Sequence, residues 1–377
     1  MGATLFVPRE RLEGERRVAL VPALVKRYAD TGVRVVVEAG AGTAAGFPDA
    51  AYTEAGAEVV DTPAWGEAQV VACVRGPGPD TVAKLSRDAA VVGLLAPDAD
   101  DFPRDAYAQS GARAFALEKL PRISRAQSMD ALSSQAAAAG YRCVLLAAVE
   151  LPRFFPMLTT AAGTIRPARV LVVGAGVAGL QAIATARRLG AVVEAYDVRA
   201  AARQEVESVG AKFVDTGVSA EGEGGYAREL SDEEKQQQAD VLARRIAQSN
   251  VVITTAAVPG KRAPRIVSKA MVEGMAPGSV IVDLGAAGGG NCEVTQPDER
   301  VEHQGVLVLG PTNPPAAVAA HASEMYARNC YNFIAPWLGD DGAVAIPGDD
   351  EVYRAAIVAG ELPEPPAGNE SDEEEAS

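Results

Sequence analysis

Short apolar runs alternate with helix-period segments along most of the chain. Residues 3–7 (ATLFV), 33–38 (VRVVVE), the stretch near Val59, 69–74 and 90–95 read as strands, being short, apolar and rich in β-branched residues. Residues 20–28 read as a helix with Pro22 in its first turn. Near residue 120 the pattern changes: polar residues give way to an alanine-rich helix over 129–150, with Gly140 as its weak point. A proline-punctuated connector follows. A second series then begins at Arg169, with strands at 170–173, 192–196, 212–214, 250–255, 279–283 and 305–309, and helices at 177–189 and 316–334. Strands alternating with helices predict parallel sheets. The expected fold class is therefore α/β: two Rossmann-like, doubly wound parallel-sheet domains joined by long helices. Residues 1–132 with 325–377 are expected to form the first domain and 133–324 the second, with about 360–377 a disordered acidic tail.

Charge sharpens this picture. The net charge is −15, yet residues 340–377 carry twelve acids and one base, so the remaining 339 residues hold only −4. Nucleic-acid binding is disfavoured, because phosphate contacts need a basic face. The longest uncharged runs, 170–185 and 303–323, are interrupted by glycines or prolines and polar residues, so no direct membrane span is expected. The apolar stretch at the N-terminus is too short for a signal peptide, which leaves a cytoplasmic location as the expectation. Cys73, Cys143, Cys292 and Cys330 lack CxxC spacing, and only His303 and His321 could join them, so no metal site is expected.

The richest stretch is VLVVGAGVAGLQAIATARRLGAVVEAYDVR. A strand leads into Gly174-Ala175-Gly176-Val177-Ala178-Gly179, a helix follows, and a second strand ends in Asp197, 21 residues after Gly176. This is the dinucleotide-binding fingerprint in its full context. Gly174 makes the tight turn, Gly176 admits the pyrophosphate to the backbone, and Gly179 lets helix and sheet pack closely. The helix N-terminus offers N–H groups to the phosphates. An acid at Asp197 would accept the ribose hydroxyls and repel a 2′-phosphate, which favours NAD over NADP. Arg199 has two readings: a phosphate ligand, or an exposed residue opening the next helix. Beyond 212–214, a polar segment with four glycines from Gly217 to Gly225 reads as a lid over the nucleotide.

Together with PRISRAQSMDALSSQ (121–135), EGGYARELS, ITTAAVPGKRAP and SVIVDLGAAGGGNCE, this stretch resembles the soluble NAD(H)-binding component, the alpha subunit or domain I, of the proton-translocating nicotinamide nucleotide transhydrogenases. The wider superfamily includes alanine dehydrogenase. The resemblance covers roughly residues 3–337. It implies direct hydride transfer between NAD(H) on this chain and NADP(H) on a partner subunit, coupled to proton passage through membrane subunits. It also implies a homodimer held peripherally at the inner face of the cell membrane by its partners. Carried over, Arg122, Gln127 and Asp130 match the loop that positions the dihydronicotinamide, and Ser133 a carboxamide contact. Val177, Asp197, Val198, Arg199, Gly225, Gln238 and Ala257 match NAD contacts, and Tyr226 the tyrosine of the mobile loop. Longer alpha subunits append membrane helices; here an acidic tail follows, as where the membrane part is a separate polypeptide.

Direct hydride transfer needs distance and orientation rather than a general acid. Two plainer readings stand beside the catalytic one. Ser124 to Gln127 fits a capping box, and Arg122 with Asp130 could be a first-turn charge pair. The rival enzyme is alanine dehydrogenase, whose imine chemistry needs a proton-transferring group. Its histidine falls at Ala96-Pro97 here and its lysine at Arg75, and no histidine precedes residue 303. A non-catalytic NAD-binding scaffold is the third reading.

Overall fold

The computed structural model describes residues 2–218, 231–256 and 262–363. The described residues of Met1–Gln135 and Val318–Ser377 form one compact unit, and those of Ala136–Ala317 form a second. In the first unit the strands are β1 (Thr4–Val7), β2 (Arg34–Glu38), β3 (Glu58–Val60), β4 (Val70–Arg75), β5 (Ala90–Leu94) and β6 (Arg113–Ala116). In the second, a hairpin of β7 (Leu158–Thr160) and β8 (Gly163–Ile165) precedes β9 (Arg169–Val173), β10 (Val192–Tyr196) and β11 (Lys212–Phe213). Then come β12 (Val251–Thr254), β13 (Val280–Asp283), β14 (Arg300–His303) and β15 (Val306–Leu309). The chain returns to the first unit through the helix Ala319–Ile334 and ends its described part near β16 (Ile357–Ala359).

Among the described residues the first sheet runs β16-β6-β5-β4-β1-β2-β3 and the second β11-β10-β9-β12-β13-β15-β14. Winding outward in both directions from β1, and again from β9, makes each sheet doubly wound. Pairing is parallel except at one edge of each: β16 runs antiparallel to β6 and β14 antiparallel to β15. These edges and the hairpin escape the apolar pattern because their strands are short and partly exposed. The central strands are buried on both faces. Phe6 packs in one layer of the first unit, with Trp65 and Tyr107, while Leu5 and Val7 pack in the other, with Phe333 and Trp337. Such continuous burial explains the unbroken Val-rich runs. Residues 360–363, assigned to the tail by composition, are folded onto the first unit: Leu362 packs against its core and the Glu361 carbonyl accepts from Arg113 Nε at 2.7 Å.

The helix Ala131–Glu150 is long and apolar enough to cross a membrane by length and composition alone. It puts Cys143, Val144 and Ala147 into the core of the second unit, as a core helix does. Gly140, its weak point in propensity, is required by packing: a Cβ there would stand 2.1 Å from the Ala178 carbonyl oxygen. All four cysteines are buried and free.

Candidate functional site

In the second unit, β9 delivers the chain to Gly174, whose φ of +100° only glycine adopts without strain. Thr255, just past β12, braces this turn by donating its hydroxyl to the Gly174 carbonyl at 3.0 Å. Gly179 meets the turn from the helix Val177–Arg188, and a Cβ on it would lie 1.9 Å from the Gly174 oxygen. Gly176 is the N-cap of that helix. No side chain caps it, and a Cβ there would meet nothing within 4 Å. The two glycines thus do different work: Gly179 closes helix onto strand, while Gly176 leaves an uncapped helix N-terminus open to an anion.

Asp197, at the end of β10, faces the same turn. Its Oδ2 accepts from the Ala175 N–H at 2.7 Å, and its Oδ1 from the Arg199 N–H at 2.9 Å. The Arg199 side chain folds back onto the carboxylate, with Nε 3.0 Å from Oδ1 and Nη2 3.2 Å from Oδ2. Burial opposes ionisation of Asp197, but the hydrogen bonds from Arg199 and from the Arg199 and Ala175 backbone outweigh it and hold the carboxyl below its ordinary value. Arg199 is exposed, as one of its readings has it, yet it is an ion-pair partner rather than a free surface residue. Val177 and Val198 show apolar surface at the mouth, 44% and 52% exposed. Gln238, on the helix Asp232–Ala247, donates to the Tyr196 hydroxyl next to Asp197. A cavity of about 300 Å³ opens here, lined by Asp197, Val198, Arg203, Phe213 and Asp215. Arg203 spans it, over the Phe213 ring and 2.5 Å from Asp215. Thr255, Arg203 and Asp215 carry no spacing signal that marks them; the fold alone assembles them. Gly225, Tyr226 and Ala257 lie outside the described residues, as does most of the expected lid.

The second group of candidate residues sits in the first unit. A 3₁₀ turn, Ser124–Met129, precedes the helix Ala131–Glu150. Ala126 and Met129 anchor it in the core, and Arg122 and Gln127 are exposed. Neither of those two side chains makes a hydrogen bond or ion pair among the described residues. The capping box that the Ser124-to-Gln127 spacing allows is absent, because Ile123 is the N-cap and no side chain closes the turn. The Arg122–Asp130 charge pair is not formed either. Instead Asp130 stands just before the long helix and accepts from the Ser133 N–H at 2.9 Å and the Ser133 hydroxyl at 2.5 Å. Asp130 and Ser133 are therefore tied to each other, while Arg122 and Gln127 are left available.

No group suited to proton transfer takes the rival enzyme's positions. Arg75 ends β4 with its Nε 3.3 Å from Glu15, and Ala96 follows β5. His303 pairs with Glu273 on the edge strand β14, and His321 lies on the helix Ala319–Ile334.

Known proteins match this arrangement over nearly the whole chain. The alanine dehydrogenase/PNT N-terminal domain model matches residues 6–139, and the alanine dehydrogenase/PNT C-terminal domain model residues 143–361. The first portion of NAD(P) transhydrogenase subunit alpha from Rhodospirillum rubrum is 46% identical, over 89% of this chain and 91% of its own. A solved transhydrogenase structure from Sinorhizobium meliloti superposes with a TM-score of 0.87 at 42% identity, covering 95% of this chain and 98% of that one. Alanine dehydrogenase of Bacillus subtilis is more distant, 28% identical over 93% of this chain and 89% of its own. The chain belongs to the alanine dehydrogenase/PNT family and stands, within it, with the NAD(P) transhydrogenase alpha subunits.

Proposed function

We propose that the chain binds NAD(H) on its second unit and exchanges hydride directly with NADP(H) held by a partner subunit, proton passage belonging to separate membrane subunits that keep it at the inner face of the cell membrane. The observation that carries this reading is the Ser124–Met129 turn, where Arg122 and Gln127 offer unengaged donor and acceptor groups and no proton-transferring residue stands by. NAD(H) supplies the hydride. The chain's residues bind and orient. The uncapped N–H groups at Val177 hold the pyrophosphate, and Asp197 takes the adenosine ribose. Val177, Val198 and Arg199 flank that half, with Gln238 acting through Tyr196. Arg122 and Gln127 steady the nicotinamide end, and Asp130 holds Ser133 toward the carboxamide. Gly225, Tyr226 and Ala257 complete the contacts in this proposal.

Gln127→Asn tests it. The change shortens the reach by one methylene and keeps the amide. Hydride transfer to a partner-bound NADP analogue is expected to fall at least about tenfold, or roughly 1.4 kcal/mol of barrier. NADH affinity should stay near its starting value. Since Gln127 caps no helix, the melting temperature should not move. Wild-type transfer in this variant defeats the positioning role.

The hairpin supports the proposed homodimer. Every residue of β7 and β8 is exposed, and Phe154, Met157 and Ile165 are 53%, 63% and 47% exposed on or beside it. Apolar surface of this kind marks an interaction site. Met157→Asp with Ile165→Asp is expected to shift the chain from dimer to monomer in sedimentation. A wild-type mass would remove the hairpin from the interface.

A further inference from the structure

Gln127 has no side-chain partner of its own, so its direction is set by the backbone that carries it. That backbone is a six-residue 3₁₀ turn, longer than such turns usually run and weakly held by its own hydrogen bonds. It is fastened from outside at two points. Near its end, the Ser128 carbonyl accepts from Asn329 Nδ2 at 2.9 Å and Asn332 Nδ2 at 3.0 Å, both on the helix Ala319–Ile334. Near its start, Arg125 reaches the C-terminal segment. Its Nη1 and Nη2 each lie 2.7 Å from one oxygen of Asp350, and Nη2 is 3.3 Å from Glu351.

The anchor for Arg125 is itself rigid. Asp350 is the N-cap of the helix Glu351–Ala356, accepting from the Val352 N–H at 2.7 Å. The next turn buries Tyr353 against Phe333 and Trp337, with ring centroids 5.1 and 5.6 Å away. The hydrogen bond from Arg125 also holds the Asp350 carboxyl below its ordinary value. With side chains 49% and 23% exposed, the pair adds little to stability. A forked, two-bond contact does fix direction. A pair that contributes geometry rather than stability, two residues before Gln127, is placed to aim that side chain.

We propose that the Arg125–Asp350 fork is a positioning contact that sets the direction of the Gln127-bearing turn, and so the rate of hydride transfer, without touching either nucleotide. This rests on the function proposed above. Two variants separate the fork from its surroundings. Arg125→Lys keeps the charge and loses the fork. Asp350→Ser keeps a hydroxyl able to cap the helix and loses the carboxylate. The full chain is mixed with an NADP(H)-binding transhydrogenase component, and single-turnover transfer, NADH affinity and melting temperature are measured.

Both variants are expected to transfer hydride about tenfold more slowly, on the scale that small misplacements of reacting groups produce. NADH affinity should hold within about twofold, and the melting temperature within about 2 °C. Wild-type transfer in either variant overturns the proposal. So does a loss of NADH affinity in step with the rate, which would make the contact a binding one. Amide hydrogen exchange over residues 124–130 reads the clamp without any partner: faster exchange in both variants is expected, and unchanged exchange overturns the proposal. If the unaltered chain transfers no hydride, the functional reading fails on its own, while the exchange data still decide the clamp.

Discussion

Gly179→Ala is expected to cost the chain its nucleotide. The new Cβ would fall 1.9 Å from the Gly174 carbonyl oxygen, 2.8 Å from its carbon and 3.0 Å from the Thr255 hydroxyl. None of these is the loose end of a flexible side chain, since Thr255 is itself bonded to the turn. The helix Val177–Arg188 has to move off β9, and its N-terminus moves with it. Overpacking on this scale costs roughly 3 kcal/mol, so NADH affinity should drop by about a hundredfold with a lowered melting temperature. Gly176→Ala is the matched contrast. Its Cβ meets nothing within 4 Å and its φ is −76°, so the variant should melt as the unaltered chain does. It should still bind NADH more weakly, because the added methyl occupies the approach of the pyrophosphate. Calorimetry and thermal melts on the two variants give this pattern or refute it. Unchanged affinity in Gly176→Ala would mean that the phosphates lie elsewhere.

Asp197→Ala is expected to weaken NADH binding by about 1.5–3 kcal/mol, the range for a lost hydrogen bond to a charged group. The carboxylate is already bonded to Ala175 and Arg199, so the ribose hydroxyls join or displace partners rather than meet a bare charge. Removing it also frees Arg199, and the variant should discriminate less against NADPH than the unaltered chain. Comparable NADH and NADPH affinities in the unaltered chain would end this assignment. The pH dependence has a definite sign. The Asp197 carboxyl sits below its ordinary value of about 3.9 in the folded chain, so its charge and its stabilising contribution persist above that pH. Both are lost only as pH falls through the lowered value. From pH 8 to pH 5 no loss of NADH affinity should trace to this residue.

The parts of the nucleotide site that are legible in the sequence are those built from neighbours along the chain. The glycine turn, the helix after it and the acid ending the next strand span 174–197, and each element has a local signature. The Thr255 brace and the Arg203–Asp215 pair are not legible, because strand order brings their partners together and no spacing encodes it. The turn in the first unit shows how a local signal misleads. Ser124 and Gln127 have capping-box spacing, yet Ile123 takes the N-cap and Asp130 caps the helix beyond. Arg125 and Asp350 lie 225 positions apart, and neither stands in a motif that points to the other. The same holds for the sheet edges. β16 closes the first sheet antiparallel through a three-residue strand, too short for periodicity to reveal.

That closing strand bears on how the molecule is made. The second unit is one continuous stretch, Ala136–Ala317, so all its contacts are available once that stretch has left the ribosome. The first unit begins earlier and finishes later. Its sheet lacks an edge until β16 has been synthesised, and the helix carrying Phe333 and the Trp337 segment arrive only shortly before. During translation the unit that starts first is therefore the last to fold, holding an incomplete core while the other matures. A nascent chain truncated near residue 317 would present a folded nucleotide unit together with an exposed, unfinished sheet, the species that chaperones must shield.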